Sequence, residues 1–148
     1  RAPPLLVKVA PDLEPQDRKD IAEVVLASGI DGLIVSNPTV ARPQSLRSTF
    51  KDEAGGLSGT PLFKPSTEVL ADFYRLTEGR LPLIGVGGIA SGADAYAKIR
   101  AGASLVQIYS AMIYKGPCIV EHIKGEVFHL MQQDGFSRLA DAVGADHR

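Results

Sequence analysis

The apolar residues of the chain form four short, nearly continuous runs that are separated by amphipathic segments. The runs cover Leu5–Ala10, Gly32–Ser36, Leu83–Val86 and Leu105–Tyr109. Parallel strands that are covered on both faces have this nearly continuous apolar character. We therefore predict four parallel strands at these positions, each buried on both faces.

A helical spacing of apolar residues follows each strand. The predicted helices are Pro15–Ser28, Ser66–Thr77, Gly92–Ala101, Pro117–Gln133 and a short final one, Arg138–Val143. A glycine follows each of the first four, as is common at helix ends. Ser91 and Asp94 have the spacing of a capping box at the start of the third helix. Strands that alternate with helices predict an α/β fold with a parallel sheet.

Four strand–helix units are half of a (β/α)₈ TIM barrel, whose usual length is about 250 residues. Residues 1–148 would then form a single partial domain, the C-terminal half of such a barrel. A half-barrel leaves two parallel edge strands unpaired, an arrangement that natural proteins avoid. We expect the chain to be a fragment whose missing half precedes Arg1. The alternative is that two copies of the chain associate to close a barrel.

Composition restricts the possible classes of function. Apolar residues make up 45% and charged residues 22% of the chain, as in globular proteins. Sixteen basic and seventeen acidic residues give a net charge of −1, which excludes a nucleic-acid binder that relies on a strongly basic surface. The single cysteine, Cys118, excludes an internal disulfide. His122 and His129 lie seven residues apart, too far for paired ligands on one helical face, so we predict no metal site.

The loop after the third strand carries the strongest chemical signal. Its sequence over Ile84–Gly92 is IGVGGIASG. Glycines let the backbone approach an anion closely, and free N–H groups at a helix start favour negative charge. In (β/α)₈ barrels the loops after strands seven and eight commonly bind phosphate, and this strand is the seventh when counted back from the C-terminus. We interpret the loop as a phosphate site; the alternative is a tight turn that packs a helix on the sheet.

Polar side chains at the predicted ends of the other strands are further candidates. Ser110 would lie beside the glycine loop, and Tyr109 either packs against a flat cofactor or fills the barrel rim. Lys8 lies within an apolar strand, where its ammonium either meets an anionic ligand or extends into solvent. Asn37 offers a donor and an acceptor to an amide or carboxylate substrate, or simply opens a turn with Pro38.

Several segments resemble, in the same order, the dihydroorotate dehydrogenase family. They are VKVAPD around Lys8, Ser36–Asn37 after GLIV, GGLSG at Gly55–Gly59, GVGGIASG at Gly85–Gly92, and AGASLVQIYS at Ala101–Ser110. The resemblance covers essentially the whole chain. The segment QIYSAMIYKGP resembles the membrane-associated, quinone-reducing class, and the terminal GADHR resembles animal mitochondrial members.

This resemblance implies an activity and its partners. The activity is FMN-dependent oxidation of dihydroorotate to orotate in pyrimidine biosynthesis, with electrons passed to ubiquinone at the mitochondrial inner membrane. The complete protein would be a monomer that meets the membrane surface through N-terminal helices, and it would bind no nucleic acid.

The resemblance also implies residue roles. Lys8 would contact the flavin near its reactive ring, and Asn37 would bind substrate. The other FMN-binding positions are Ser36, Gly59, Gly87, Gly88, Tyr109 and Ser110. The positions on the side of the quinone tunnel are Tyr109, Met112, Ile113 and Pro117.

Two departures from the family pattern bear on function. The family usually has threonine after the substrate asparagine, whereas Pro38 here lacks both a hydroxyl and a backbone N–H, which bears on substrate affinity. The catalytic base of the quinone-reducing class, a serine, is expected upstream, so we assign no catalytic residue to this chain. The alternatives are another phosphate- or FMN-binding TIM-barrel oxidoreductase and a non-catalytic half-barrel that binds a ligand or a partner.

Overall fold

The protein is described by a computed structural model that covers residues 2–148, so Arg1 of the predicted domain lies outside the described residues. Four parallel strands form one sheet in chain order. They are β1 (Leu6–Val9), β2 (Gly32–Val35), β3 (Leu83–Val86) and β4 (Leu105–Gln107). The predicted parallel α/β architecture is confirmed. The prediction that the last strand reaches Tyr109 is wrong, because the chain turns there into a helix.

Six helices and two short 3₁₀ turns accompany the strands. The helices are α1 (Pro15–Ser28), α2 (Phe63–Leu76), α3 (Gly92–Arg100), α4 (Ser110–Lys115), α5 (Ile119–Gln133) and α6 (Leu139–Ala142). The 3₁₀ turns are Thr60–Leu62 and Ala145–His147. The sequence pattern predicts no helix at α4, because its six residues are too few to show a helical period.

The start of α2 also differs from the prediction, by three residues. Pro65 lies within the first turn of this helix, where its missing N–H has no intrahelical partner in any case. The 3₁₀ turn Thr60–Leu62 leads directly into α2. These two elements therefore shorten the long connection after β2 and bring it against the glycine loop.

The helices cover one face of the sheet. Leu33, Val35 and Leu83 point into this layer and are fully buried, and Phe73 of α2 packs in the same core. Alternate residues point to the opposite face, on which no element of residues 2–148 packs, so Leu105 of β4 is 62% exposed. The prediction that every strand is covered on both faces is therefore wrong. This open face corresponds to the interior of a closed barrel.

Candidate functional site

A cleft of about 600 Å³ opens at the carboxyl ends of the strands. This volume lies within the usual range for small-molecule sites. All seven predicted FMN-binding residues line the cleft: Lys8, Ser36, Gly59, Gly87, Gly88, Tyr109 and Ser110. They come from the ends of all four strands and from the segment before α2. The sheet therefore brings together residues that lie up to 102 positions apart in the sequence.

The charge of the cleft favours an anionic ligand. Its charged lining residues are Lys8 and Lys115, and no acidic side chain lines it. Lys8 points from β1 to the open face of the sheet and is exposed. The Lys115 Nζ donates to the Ala90 carbonyl at 2.9 Å, which places a second ammonium beside the glycine loop. Two ammonium groups at opposite parts of the lining suit a ligand that carries a phosphate.

The two cleft glycines that follow β3 are required by packing as well as by backbone conformation. Gly87 and Gly88 have φ values of +115° and +73°. A β-carbon at Gly88 would lie 2.5 Å from the Phe63 Cβ and 2.6 Å from the Phe63 backbone nitrogen. A β-carbon at Gly87 would lie 2.8 Å from the Ser66 hydroxyl. The glycine loop therefore lies directly against the first turn of α2.

The helix start that follows the glycine loop is already satisfied by protein groups. The Ser91 hydroxyl accepts the Asp94 N–H at 3.1 Å, and the Asp94 carboxylate accepts the Ala90 N–H at 3.0 Å. The Gly92 N–H donates to the Glu126 carboxylate of α5. The predicted cap is confirmed; the Asp94 carboxylate accepts from the Ser91 hydroxyl at 2.8 Å and from the Ala90 N–H, not from the Ser91 N–H that a capping box would use. These carboxylates leave little room for an anion at the start of α3.

The amides that remain for an anion lie earlier in the loop. Neither the Gly88 nor the Ile89 N–H donates to an acceptor within residues 2–148. Both residues line the cleft beside Ser110. The interpretation that the helix start supplies the donors therefore needs correction, because Glu126 and Asp94 take that position. A phosphate would meet the loop amides instead.

The end of β2 is held firmly in place. Ser36 is 1% exposed; its hydroxyl donates to the Asn37 carbonyl at 2.9 Å, and its N–H donates to the Val86 carbonyl at 3.2 Å. The Asn37 N–H donates to the Val9 carbonyl at 2.8 Å. Pro38 lines the cleft. Asn37 is half-buried and does not line it, so its predicted substrate role stays a prediction.

The loop after β2 is organised by Arg42, which the sequence analysis did not identify. Its guanidinium donates to the carbonyls of Glu53 at 2.8 Å and Gly55 at 2.7 Å. Thr39 and Leu57 form an isolated antiparallel bridge that closes the same loop. The loop therefore returns to the cleft, where it presents Gly59.

The predicted quinone-side residues lie on α4 and at its ends. Ile113 is 70% and Tyr109 is 75% exposed. Met112, Ile113 and Pro117 are exposed and do not line the cleft. Of the four residues Tyr109 alone lines it, and the tunnel role of all four stays a prediction.

Lys98 is a further residue of interest, which the sequence pattern alone does not single out. It is fully buried on α3, and its Nζ donates to the hydroxyls of Ser66 and Thr67 at 2.8 Å each. The ammonium also lies 5.1 Å from the centre of the Phe63 ring. Burial lowers the pKa of Lys98 to about 7, and the Asp94 carboxylate opposes this effect. Its spacing of one turn after Ala95 indicates, from the sequence, that it lies on the buried face of α3.

The remaining candidates have structural or surface positions. The ring of His147 stacks on Tyr74 with centroids 5.1 Å apart, while His122 and His129 are exposed. Over residues 2–148, no three His, Cys, Asp or Glu residues are grouped so that they can hold a metal ion. In the same range, no helix combines the length and the apolar character that crossing a membrane requires.

Comparison with known proteins is consistent with this arrangement. Residues 1–131 match the family model described as dihydroorotate dehydrogenase. The dihydroorotate dehydrogenase (quinone) of Azorhizobium caulinodans is 61% identical over 146 residues, which are 99% of this chain and 41% of that protein. The mitochondrial dihydroorotate dehydrogenase (quinone) of Mus musculus is 51% identical, over 99% of this chain and 37% of that protein.

A solved structure gives the same result. The crystal structure of DHODH in complex with ferulenol from Eimeria tenella superposes with a TM-score of 0.97 at 49% identity. The superposition covers 100% of this chain and 39% of that chain. The chain therefore spans about 40% of the length of the relatives that it matches.

Proposed function

This chain belongs to the dihydroorotate dehydrogenase family, and on that premise we propose that it forms the FMN-binding, C-terminal half of the barrel of a quinone-linked dihydroorotate dehydrogenase. The proposed activity is oxidation of dihydroorotate to orotate in pyrimidine biosynthesis, with electrons passed to ubiquinone. One observation carries the proposal: the ends of four adjacent strands converge on a cleft whose charged lining residues are two lysines.

The residues of the cleft fit the phosphate of FMN. The Gly88 and Ile89 N–H groups face no protein acceptor in the described chain and supply donors. Backbone N–H groups in a glycine loop bind phosphate oxygens well because no side chain obstructs the approach. Ser110 would add a hydroxyl beside them, and Lys115 would add positive charge from the end of α4.

The other end of the cleft fits the flavin ring. FMN, when bound, accepts a hydride equivalent from the substrate and passes the electrons to the quinone. Lys8 points toward the open face of the sheet, where its ammonium would stabilise negative charge that develops on the ring. Ser36 is buried and its hydroxyl is fixed by the Asn37 carbonyl, so it would act as a rigid part of the wall.

The substrate side depends on residues at the end of β2. Asn37 would bind the substrate through its amide after a side-chain movement, since it does not line the cleft here. Pro38 lines the cleft where a threonine hydroxyl is usual in the family, and we propose that substrate affinity is lower as a result. The general base lies outside this chain in the proposal, so the residues here bind and orient the reactants.

The quinone would approach from α4. Tyr109, Met112, Ile113 and Pro117 would form one side of its tunnel, and their exposure leaves an apolar surface for it. Plant and mouse relatives are named mitochondrial, which supports a mitochondrial location, and we propose the inner membrane as the site within it. The Azorhizobium relative is more similar in sequence to this chain (61% identical) than the mouse protein is (51% identical). The resemblance to animal members at the GADHR terminus therefore does not hold for the chain as a whole. We further propose that the closed barrel is a monomer.

The test is flavin reduction in the full-length protein. Anaerobic mixing with dihydroorotate should bleach the flavin absorbance, and reoxidation should follow when a ubiquinone analogue is added. Lys8→Ala should slow bleaching, whereas Lys64→Ala on the outer face of α2 should not. A flavin that dihydroorotate does not reduce would favour another FMN oxidoreductase, and a protein that binds no flavin would refute the proposal.

A further inference from the structure

Lys98 lies behind the glycine loop, with the Ser66 hydroxyl between its ammonium and the Gly87 carbonyl. The Ser66 hydroxyl that accepts from Lys98 lies 3.4 Å from the Gly87 carbonyl oxygen. The stem of Lys98 packs under the same segment, because a β-carbon at Gly85 would lie 3.0 Å from its Cδ. Lys98 therefore contacts both elements that form the cradle, the first turn of α2 and the end of β3.

Within residues 2–148, no carboxylate forms an ion pair with the buried ammonium. Its hydrogen-bond partners are two neutral hydroxyls, each of which already donates to the carbonyl four residues before it: Ser66 to Leu62 at 2.7 Å, and Thr67 to Phe63 at 2.6 Å. A buried cation without an ion-pair partner is costly unless it interacts with negative charge. The Ser66 hydroxyl that accepts from Lys98 also contacts Gly87 of the glycine loop, where the amides for an anion lie.

We infer that Lys98 is a positioning residue of the phosphate site: it holds the first turn of α2 against Gly87 and Gly88, and its charge attracts the anion that the loop amides bind. The inference rests on the proposed function, in which this anion is the phosphate of FMN. The phosphate site would then depend on a buried cation outside the cleft lining as well as on the residues that touch the ligand.

The surroundings of Lys98 make its charge state responsive to the anion. The face of α2 contributes two hydroxyls and the Phe63 ring, while the charged side chains Lys64 and Glu68 point outward and are exposed. From β3 it meets the backbone at Gly85. Asp94, on its own helix, is the charged group that acts on it within the described chain.

The direction of the coupling follows from linkage. Burial holds the pKa of Lys98 at about 7 in the free protein, and a bound anion raises this pKa. Anion affinity is therefore highest below pH 7, where Lys98 is already protonated, and falls as the pH rises through the pKa of the bound state. At an effective dielectric constant of about 20, the attraction between two unit charges that are not in contact changes affinity by roughly tenfold.

The experiment measures FMN dissociation constants for the full-length apoprotein between pH 6 and pH 9, with riboflavin as a ligand that lacks phosphate. Lys98→Met keeps the length of the side chain and removes its charge, and Lys64→Met is the matched control on the exposed face of α2. FMN's own phosphate titrates near pH 6 in every variant, so the comparison between variants isolates Lys98.

We expect Lys98→Met to bind FMN about tenfold more weakly at pH 6.5, with a loss that disappears toward pH 9. Riboflavin affinity should be unchanged, and Lys64→Met should behave as wild type. If Lys98→Met loses as much affinity for riboflavin as for FMN, or if its loss of FMN affinity does not depend on pH, Lys98 has a merely structural role and the inference is overturned. If wild-type protein binds no FMN, the proposed function fails and this inference fails with it.

A second measurement does not depend on whether the variant folds. Calorimetry of FMN binding to wild-type protein at pH 7.5, in two buffers of different ionisation enthalpy, gives the number of protons exchanged. The phosphate is already a dianion at this pH, so uptake of about half a proton is expected from Lys98. Binding without proton uptake would overturn the inference even where Lys98→Met cannot be purified.

Discussion

Replacement of Gly88 by alanine tests the packing of the glycine loop on α2. The β-carbon of Gly88→Ala would lie 2.5 Å from the Phe63 Cβ and 2.6 Å from its Cα. Non-bonded carbon atoms normally lie about 3.5–4.0 Å apart, so the loop or the helix must move by about 1 Å. The contact involves the backbone of Phe63, and no rotation of a side chain relieves it. The positive φ of +73° adds a cost of about 1–2 kcal/mol.

Gly29→Ala is the matched control for the backbone cost. Gly29 follows α1 with a φ of +72°, and an added β-carbon there meets no atom within 4 Å. This control should lose about 1–2 kcal/mol of unfolding free energy and keep its FMN. Gly88→Ala should lose a further 1–3 kcal/mol, roughly, because the contact is overpacked. It should also bind FMN roughly 10–100-fold more weakly, because loop amides leave the phosphate.

Both quantities are measured on the full-length protein. Urea denaturation gives the loss of stability, and flavin fluorescence titration gives the FMN dissociation constant. If Gly88→Ala loses no more stability and no more FMN affinity than Gly29→Ala, the close contact with Phe63 does not exist as described. A Gly88→Ala protein that is destabilised but binds FMN normally would separate the packing from the phosphate site.

Three further predictions concern the surroundings of the cleft. Ser91→Ala removes the cap of α3 and should cost about 1 kcal/mol in urea denaturation, whereas exposed Ser104→Ala should cost nothing measurable. Burial lowers the pKa of Lys98 from 10.5 to about 7, a difference that corresponds to about 5 kcal/mol at most. Lys98→Met should therefore stabilise the apoprotein below pH 7 and lose this advantage between pH 7 and 10.5. A difference in melting temperature between variant and wild type that does not change with pH would contradict this. Arg42→Gln should speed amide hydrogen exchange over residues 40–57, and unchanged exchange would show that its carbonyl contacts do not hold the loop.

The sequence predicts the strands and most helices because their signals are local. Each strand is a short apolar run, and the glycine after α1 adopts the left-handed conformation expected at a helix end. The order of the strands also follows from the chain, since each strand–helix unit places the next strand alongside the last. The seven cleft residues follow from the same reasoning together with the family resemblance.

The features that the sequence does not predict depend on contacts between distant residues. Glu126 reaches the Gly92 N–H across 34 positions and so occupies the helix start that the motif left open for an anion. The site of Lys98 depends on hydroxyls 31 and 32 positions away on α2. The helix α4 interrupts an apolar segment that has no helical period of its own. In each case the sequence shows the residue types, but only the fold shows which distant residues they contact.

A crystal structure of the full-length protein reconstituted with FMN tests most directly whether the cleft holds FMN with its phosphate on the glycine loop. We expect phosphate oxygens within hydrogen-bond distance of the Gly88 and Ile89 amides, with the flavin ring beside Lys8. A phosphate that displaces Glu126 from the Gly92 amide, or one bound outside this cleft, would contradict this expectation.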